Sequence, residues 1–384
     1  MIERALTGDR RYWSWIVALL AVITVGSLFY LRQLTVGLTI TGLSRDVTWG
    51  FYIAQFTFMV GVAASAVMVV LPYYLHNFKV FGRIAILGEF LAIGSVVMCV
   101  LFITVDLGQP ARVFNMFLHP SPRSILFWDT IVLSGYLLLN ALIAHQTLKA
   151  EDNGTAVPGW VRPVIYLSIP WAISIHTVTA FIYQGLAARP YWMTAILAPR
   201  FLASAFASGP ALLILICLVL RRTTRFDAGT EAIQKLATIV TYAMLANLFF
   251  VLMEVFTAVY SGIPEHMAHF QYLFVGLDGH SELVPWMWAG LVLAVMALAI
   301  LLRPSVRRQA GWLAVACVAV VISVWIEKGL GMIVAGFNPS PLGQVTRYVP
   351  TAPEVLIGLG VYGIGALVIT ILYKTALSVR GEVA

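Results

Sequence analysis

Asp129, His176 and Glu254 lie inside long apolar runs of this sequence, and they are the side chains best suited to take or release a proton there. An ionisable group in a hydrocarbon setting is costly, so its presence has one of two explanations. Either a partner on a neighbouring helix neutralises it, or it handles protons for a buried ligand, which requires a pKa near the working pH. Both readings are open for Asp129 and His176. Glu327 and Lys328 have the simpler reading of neutralising carboxylates on adjacent helices, while Glu89 sits toward the opposite face from the others.

A second group of candidates surrounds these. The stretch TVDLGQPARVFNMFLHPSPRSILFWDTIV, Thr104 to Val132, carries Asp106, Arg112, His119, Arg123 and Asp129 between two apolar segments. Pro110, Pro120 and Pro122 prevent it from extending a helix, so it is expected to fold over the mouth of the adjoining helices. Arg112 is placed to pair with Asp106 or Asp129 and hold a carboxylate ionised. Trp128, Tyr183, Trp192 and Arg189 could wall or hydrogen-bond a ligand, although aromatic residues also serve ordinary packing and interfacial anchoring.

The elements that must position these residues follow from composition. A chain of 384 residues that is 60% hydrophobic and 11% charged, with mean hydropathy +0.90, has more apolar surface than a water-soluble core can hide. Runs of about 20 apolar residues span a hydrocarbon layer roughly 30 Å thick. Ten are expected, near Trp13–Tyr30, Phe51–Leu75, Ile84–Val105, Ile125–Leu148, Pro163–Ala187, Leu202–Leu220, Leu236–Tyr260, Val284–Leu302, Gly311–Ile333 and Pro353–Leu377. The runs are continuous, without the two-residue alternation of a membrane β-barrel, so the fold class is an all-α integral membrane protein.

Most of the 24 Lys and Arg residues fall on the side of the chain ends, which places both termini in the cytoplasm of a multi-pass inner-membrane protein. The long connections rich in Pro, Gly and aromatic residues then lie on the outer face, as do Asp129, Glu254, Glu327 and Lys328. Asp129, four residues into its run, is only about 6 Å below the helix start, with His176 nearer the midplane. The first run reads as a retained helix, because no small-residue cleavage site follows it.

Several classes are disfavoured. The +7 charge is spread over loops as a topology signal, which argues against nucleic-acid binding. Cys99, Cys217 and Cys317 lie singly in three different runs with no CxxC, so an iron–sulfur cluster in this chain is not expected. Nor is haem, because His145 and His176 lie at different depths. A transporter or ion-translocating subunit and a purely structural anchor for redox subunits stay as alternatives, with Pro170 and Pro210 the available helix interruptions.

The segment DLGQPARVFNMFLHPSPRSILFWD resembles the DLGRP...R(F/V)xN...P.SP(M/R)S...W signature of the NrfD family, which includes the membrane subunit of polysulfide reductase. IPWAISIHTVTAFIYQGLAARPYWMTAILAPRFLASAFASGPALL resembles the family's central helix, aromatic loop and next helix, and EKGLGMIVAGFNPSPLG with YVPTAPE resembles its C-terminal part. Ten spans match the larger branch, and SRDVTWGFYIAQFTFMVGVAASAVMVVLPYYLHNFKVFGR is most like the DsrP subunit of the sulfite-reduction-associated DsrMKJOP complex.

The resemblance implies a quinone-reactive subunit of an anaerobic respiratory complex, linked to sulfur metabolism and without a haem or cluster of its own. It would exchange electrons between menaquinone and a ferredoxin-like iron–sulfur subunit on the outer face, alongside cytochrome c and cytochrome b subunits. It also implies two four-helix bundles, residues 51–190 and 201–335, flanked by a first helix and loop in 1–50 and a last helix and tail in 353–384. On that expectation Asp129, His176 and Glu254 handle protons, and Asp106, Arg112, Trp128, Tyr183, Arg189 and Trp192 surround the quinone head.

Overall fold

The computed structural model describes residues 2–76 and 78–383. Among them, ten helices are long and apolar enough to cross a membrane: α1 (Arg10–Val36), α2 (Phe51–Leu75), α3 (Lys79–Asp106), α4 (Ile125–Asp152), α5 (Val161–Gln184), α6 (Leu197–Thr223), α7 (Thr230–Ser261), α8 (Val284–Leu301), α9 (Ala310–Ala335) and α10 (Ala352–Val379). The described residues form no strand, and the protein is an all-α integral membrane protein. Each expected run lies within or overlaps one of these helices. Both chain ends emerge on one face, here the terminal face, and the long connections on the other, the loop face.

Three departures from the expected pattern matter for the site. Helix α6 begins at Leu197, so Arg200, expected in a connection, lies in its first turn and is buried. Helix α9 widens into a π turn over Trp325–Gly331 before its last turn, Met332–Ala335. The connection expected between Ser261 and Leu283 contains a short helix, Pro264–Phe274. Gly262, at φ 64°, stops α7 in a left-handed conformation that costs glycine little, and Pro264 starts the short helix where a missing N–H is no loss.

Helices α2 to α5 pack together as one group and α6 to α9 as another; α2 and α5 meet α6 between the groups, while α1 lies along α10. Burial follows from this order: 88% of the central window of α2 is buried but only 17% of that of α1. Helix α2 is apolar on every side because it faces protein all round, whereas α1 presents its leucines to lipid.

Helices α1 and α10 approach most closely where Gly26 meets Gly360. A Cβ on Gly26 would fall 2.6 Å from the Gly360 Cα, so only hydrogen fits between the two backbones. Gly26→Leu is expected to destabilise the protein by about 1–3 kcal/mol through overpacking. A thermal melt in detergent checks this; an unchanged midpoint would mean that the two helices do not meet there.

Polar ties join distant segments. Gln55 of α2 accepts hydrogen bonds at Oε1 from Trp325 Nε1 and Tyr362 OH, both at 2.6 Å, linking α2, α9 and α10. Thr351 and Glu354 form a capping box at the start of α10. The Glu354 carboxylate also accepts from the Gly42 N–H at 2.8 Å and from Tyr348 OH at 2.9 Å. Tyr348 OH in turn accepts from the Phe51 N–H at 2.6 Å, an otherwise unpaired donor at the head of α2.

Candidate functional site

Helix α5 carries a buried polar stripe of His176, Thr179 and Tyr183, spaced three and four residues apart and therefore on one face. The stripe faces the interior of the first group. Thr179 Oγ1 lies 2.7 Å from Asp129 Oδ1 on α4 and 2.7 Å from its own helix's Ile175 carbonyl. Tyr183 OH is 2.5 Å from Thr57 Oγ1 on α2. The Thr57 hydroxyl already donates to the Ile53 carbonyl at 2.7 Å, so the phenol is the donor in this pair.

Thr179 has one hydroxyl proton and two acceptors, so its bonding must follow the charge of Asp129. With Asp129 ionised, Thr179 donates to the carboxylate. With Asp129 protonated, the carboxyl donates to Thr179 Oγ1 and the hydroxyl proton turns to the Ile175 carbonyl. His176 lies one turn deeper, fully buried, with neither ring nitrogen hydrogen-bonded. A buried imidazole with both nitrogens open is unusual, since buried polar groups are nearly always satisfied.

Four rings roof this stripe on the loop face. Trp49 and Trp192 stack with centroids 6.0 Å apart, and Tyr183 and Phe337 meet them edge-on at 5.3–5.9 Å. Trp192 Nε1 donates to the Met332 carbonyl at 3.0 Å. Its ring lies flat against Gly336, where a Cβ would come within 1.9 Å of it. The Arg189 guanidinium sits 4.4 Å from the Phe337 centroid, a cation–π contact over the outside of the roof.

The short helix Pro264–Phe274 braces that region. His269 Nδ1 donates to the Ala335 and Asn338 carbonyls at 2.8 and 2.9 Å. Burial holds this imidazole below its ordinary pKa, and its ring packs at 5.3 Å on Tyr191.

A second buried cluster lies in the other group of helices. Arg200 of α6 forms ion pairs with Glu254 of α7 and Glu327 of α9, and Asn247 Nδ2 donates to Glu327 at 3.4 Å. The π turn then sends the next residue the other way: Lys328 Nζ lies 3.4 Å from the Phe201 carbonyl and 4.3 Å from the Phe201 ring centroid. Thus successive residues of α9, Glu327 and Lys328, meet successive residues of α6, Arg200 and Phe201.

The structure therefore gathers Asp129, His176, Tyr183 and Trp192 in one place, with Arg189 at its edge. Glu254 belongs to the separate Arg200 cluster. Lys328 does not neutralise the neighbouring carboxylates, as expected from sequence; Arg200 does, because its fork reaches both. Arg112 is exposed and pairs with neither Asp106 nor Asp129. Its loop turns outward at Pro110–Phe114, leaving Phe114 and Phe117 exposed, so it does not cover the helix mouth. Asp106 ends α3 with Oδ1 buried and unpartnered, and Trp128 is half-exposed, its Nε1 donating to the Pro122 carbonyl at 2.8 Å.

Sequence reasoning missed Thr57, Thr179, Trp49, Phe337 and Arg200. The threonines carry no signal inside an apolar run. Trp49 and Phe337 are far apart in the chain and belong to connections whose mutual packing no spacing reveals.

A family model described as "Polysulphide reductase, NrfD" matches residues 39–337. The chain is 28% identical to a putative dimethyl sulfoxide reductase membrane protein of Halobacterium salinarum, across 94% of this chain and 89% of that one. It is 24% identical to the "Hdr-like menaquinol oxidoreductase integral membrane subunit" of Archaeoglobus fulgidus, across 85% and 80%. With the "Menaquinone reductase, integral membrane subunit" of Nitratidesulfovibrio vulgaris it shares 21% identity across 95% and 91%. Matched over most of its length, from the first loop to the turn that ends α9, this ten-span chain belongs to the NrfD family of membrane proteins.

Proposed function

We propose that the chain is the quinone-reactive membrane subunit of a respiratory redox complex, exchanging electrons between menaquinone and an iron–sulfur subunit docked on the loop face. The observation that carries this reading is His176, buried with both ring nitrogens open, beside the Thr179–Asp129 pair and below an aromatic roof. Two relatives are named for menaquinol or menaquinone chemistry, which agrees with it. The terminal face, where basic residues concentrate, is then cytoplasmic.

The residues fit a quinone head. Its carbonyls need donors, which His176 and Tyr183 supply, and its ring needs an apolar wall, which Trp49, Trp192 and Phe337 supply. Bound menaquinone brings a two-electron, two-proton couple. Asp129 accepts or returns a proton as the Thr179 hydroxyl switches between its two acceptors, and His176 holds the second proton on an open ring nitrogen. The roof excludes bulk water, so protons reach these groups only along such side chains. Glu254, held by Arg200, is outside this path.

The partner's place is argued from the loop face itself. Phe114, Phe117 and Leu118 are more than half exposed there, as are Val275 and Leu342. Apolar side chains clustered in an aqueous face mark a protein contact.

The test is equilibrium binding of a short-chain menaquinone to the purified chain in detergent. Saturable binding that is lost in His176→Leu and kept in Glu254→Gln is expected. Binding unaffected by both His176→Leu and Tyr183→Leu would move the quinone elsewhere.

A further inference from the structure

A groove of about 1460 Å³, separate from the stripe on α5, crosses the molecule from one face to the other. Helices α10 and α1 form one wall, α6 and α9 the other, and α2 and α3 the floor. Its length is lined by apolar side chains such as Leu91, Leu215, Ile369 and Leu359, so in a membrane it holds hydrocarbon and not water.

Its two mouths differ in charge. Arg11, Arg222 and Lys374 line the mouth on the terminal face, and among the described residues none of them is in an ion pair. Lys374 Nζ lies 5.1 Å from the Tyr12 centroid, held at the rim. The carboxylate there, Asp9, is engaged as the cap of α1, accepting from the Tyr12 N–H at 2.9 Å. The Thr223 and Thr224 hydroxyls both donate back into α6, leaving the three cations to meet a ligand. At the other mouth stands Glu282, paired with Arg347 at 3.1 Å. The groove is thus polarised, with free positive charge at one end only.

We propose that this groove is a binding site for an anionic phospholipid of the leaflet on the terminal face, its phosphate at Arg11, Arg222 and Lys374 and its acyl chains along α10 and α6. The start of α1 adds the positive end of a helix dipole to the same mouth. A zwitterionic lipid has an ammonium group that these cations repel. A net negative headgroup has none, and pockets of this kind between spanning helices select it. The site does not depend on the quinone reading, because it shares no residue with it.

The experiment is native mass spectrometry of the full chain in nanodiscs of equal parts phosphatidylglycerol and phosphatidylcholine. Retained lipid is expected to be enriched in phosphatidylglycerol, and each of Arg11→Gln, Arg222→Gln and Lys374→Gln is expected to reduce that enrichment about fivefold. Arg303→Gln, an exposed cation on the same face that does not line the groove, is expected to leave it unchanged. Retained lipid at the bulk composition, or an equal loss with Arg303→Gln, overturns the proposal. So does a photo-crosslinker at Leu359 that captures a partner's polypeptide in the assembled complex in place of lipid.

Discussion

Asp129→Asn is expected to slow quinol-dependent electron transfer by about 10²–10⁴-fold, the usual worth of a positioned proton-transfer group. The amide matches the carboxylate in size and still accepts from Thr179, so helix packing is preserved while the proton site is lost. His176→Gln is expected to act in the same direction, because a side-chain amide has donor and acceptor atoms but no titration near neutral pH. Thr179→Val separates relay from scaffold: it removes the switching hydroxyl and leaves Asp129 in place, so turnover should fall while quinone binding persists. Steady-state turnover of the assembled complex with a short-chain quinol, across roughly pH 6 to 8, reads all three. Normal rates in both Asp129→Asn and His176→Gln throughout that range would make the stripe structural.

Arg200→Leu has the largest expected effect on stability. It strands Glu254 and Glu327 as neighbouring carboxylates among helices, and breaking a buried pair from one side costs about 3–5 kcal/mol. A lower melting midpoint and aggregation on size exclusion are the expected signs. Arg200→Lys should recover only part of the loss, because one guanidinium nitrogen serves each carboxylate and a single ammonium cannot reproduce that fork. The decisive comparison is Arg200→Leu combined with Glu254→Gln and Glu327→Gln, which removes every charge of the cluster. Recovered stability identifies the cluster as an ion-pair clasp between α6, α7 and α9. A triple variant as unstable as Arg200→Leu alone would place the role of Arg200 in packing.

The ten spans are legible because the physics of crossing a membrane is written into residue type and run length, independent of what each span touches. Asp129 and His176 are legible for the same reason, as ionisable groups where none is expected. What the sequence hides is mutual position. The head of α6 reads as connection because Arg200 looks like a boundary charge, and only burial between two carboxylates explains its place inside the helix. The π turn that sends Glu327 and Lys328 apart has no signature in WIEKGLG, since it comes from the packing of α9 on α6 and α2. The DLGQPARVF motif is the strongest family signal, yet its loop turns outward, while the roof comes from Trp49, Trp192 and Phe337 in three separate connections.

The Glu354 carboxylate that ties Gly42 and Tyr348, and through Tyr348 the head of α2, has a consequence for biogenesis. Gly42 and Glu354 are 312 residues apart, so when the ribosome makes α2 its partner has not been synthesised. At about 5–20 residues per second the wait is on the order of 15–60 s. During that interval α1 and α2 are in the membrane while the Phe51 N–H and the first loop have no closing partner. Quality-control proteases and insertion chaperones therefore meet an open form of every copy, and a chain truncated before Tyr348 never leaves that form. The last helix acts as a latch that reports completion, and its capping box would set how many nascent chains mature without altering how fast a mature one works.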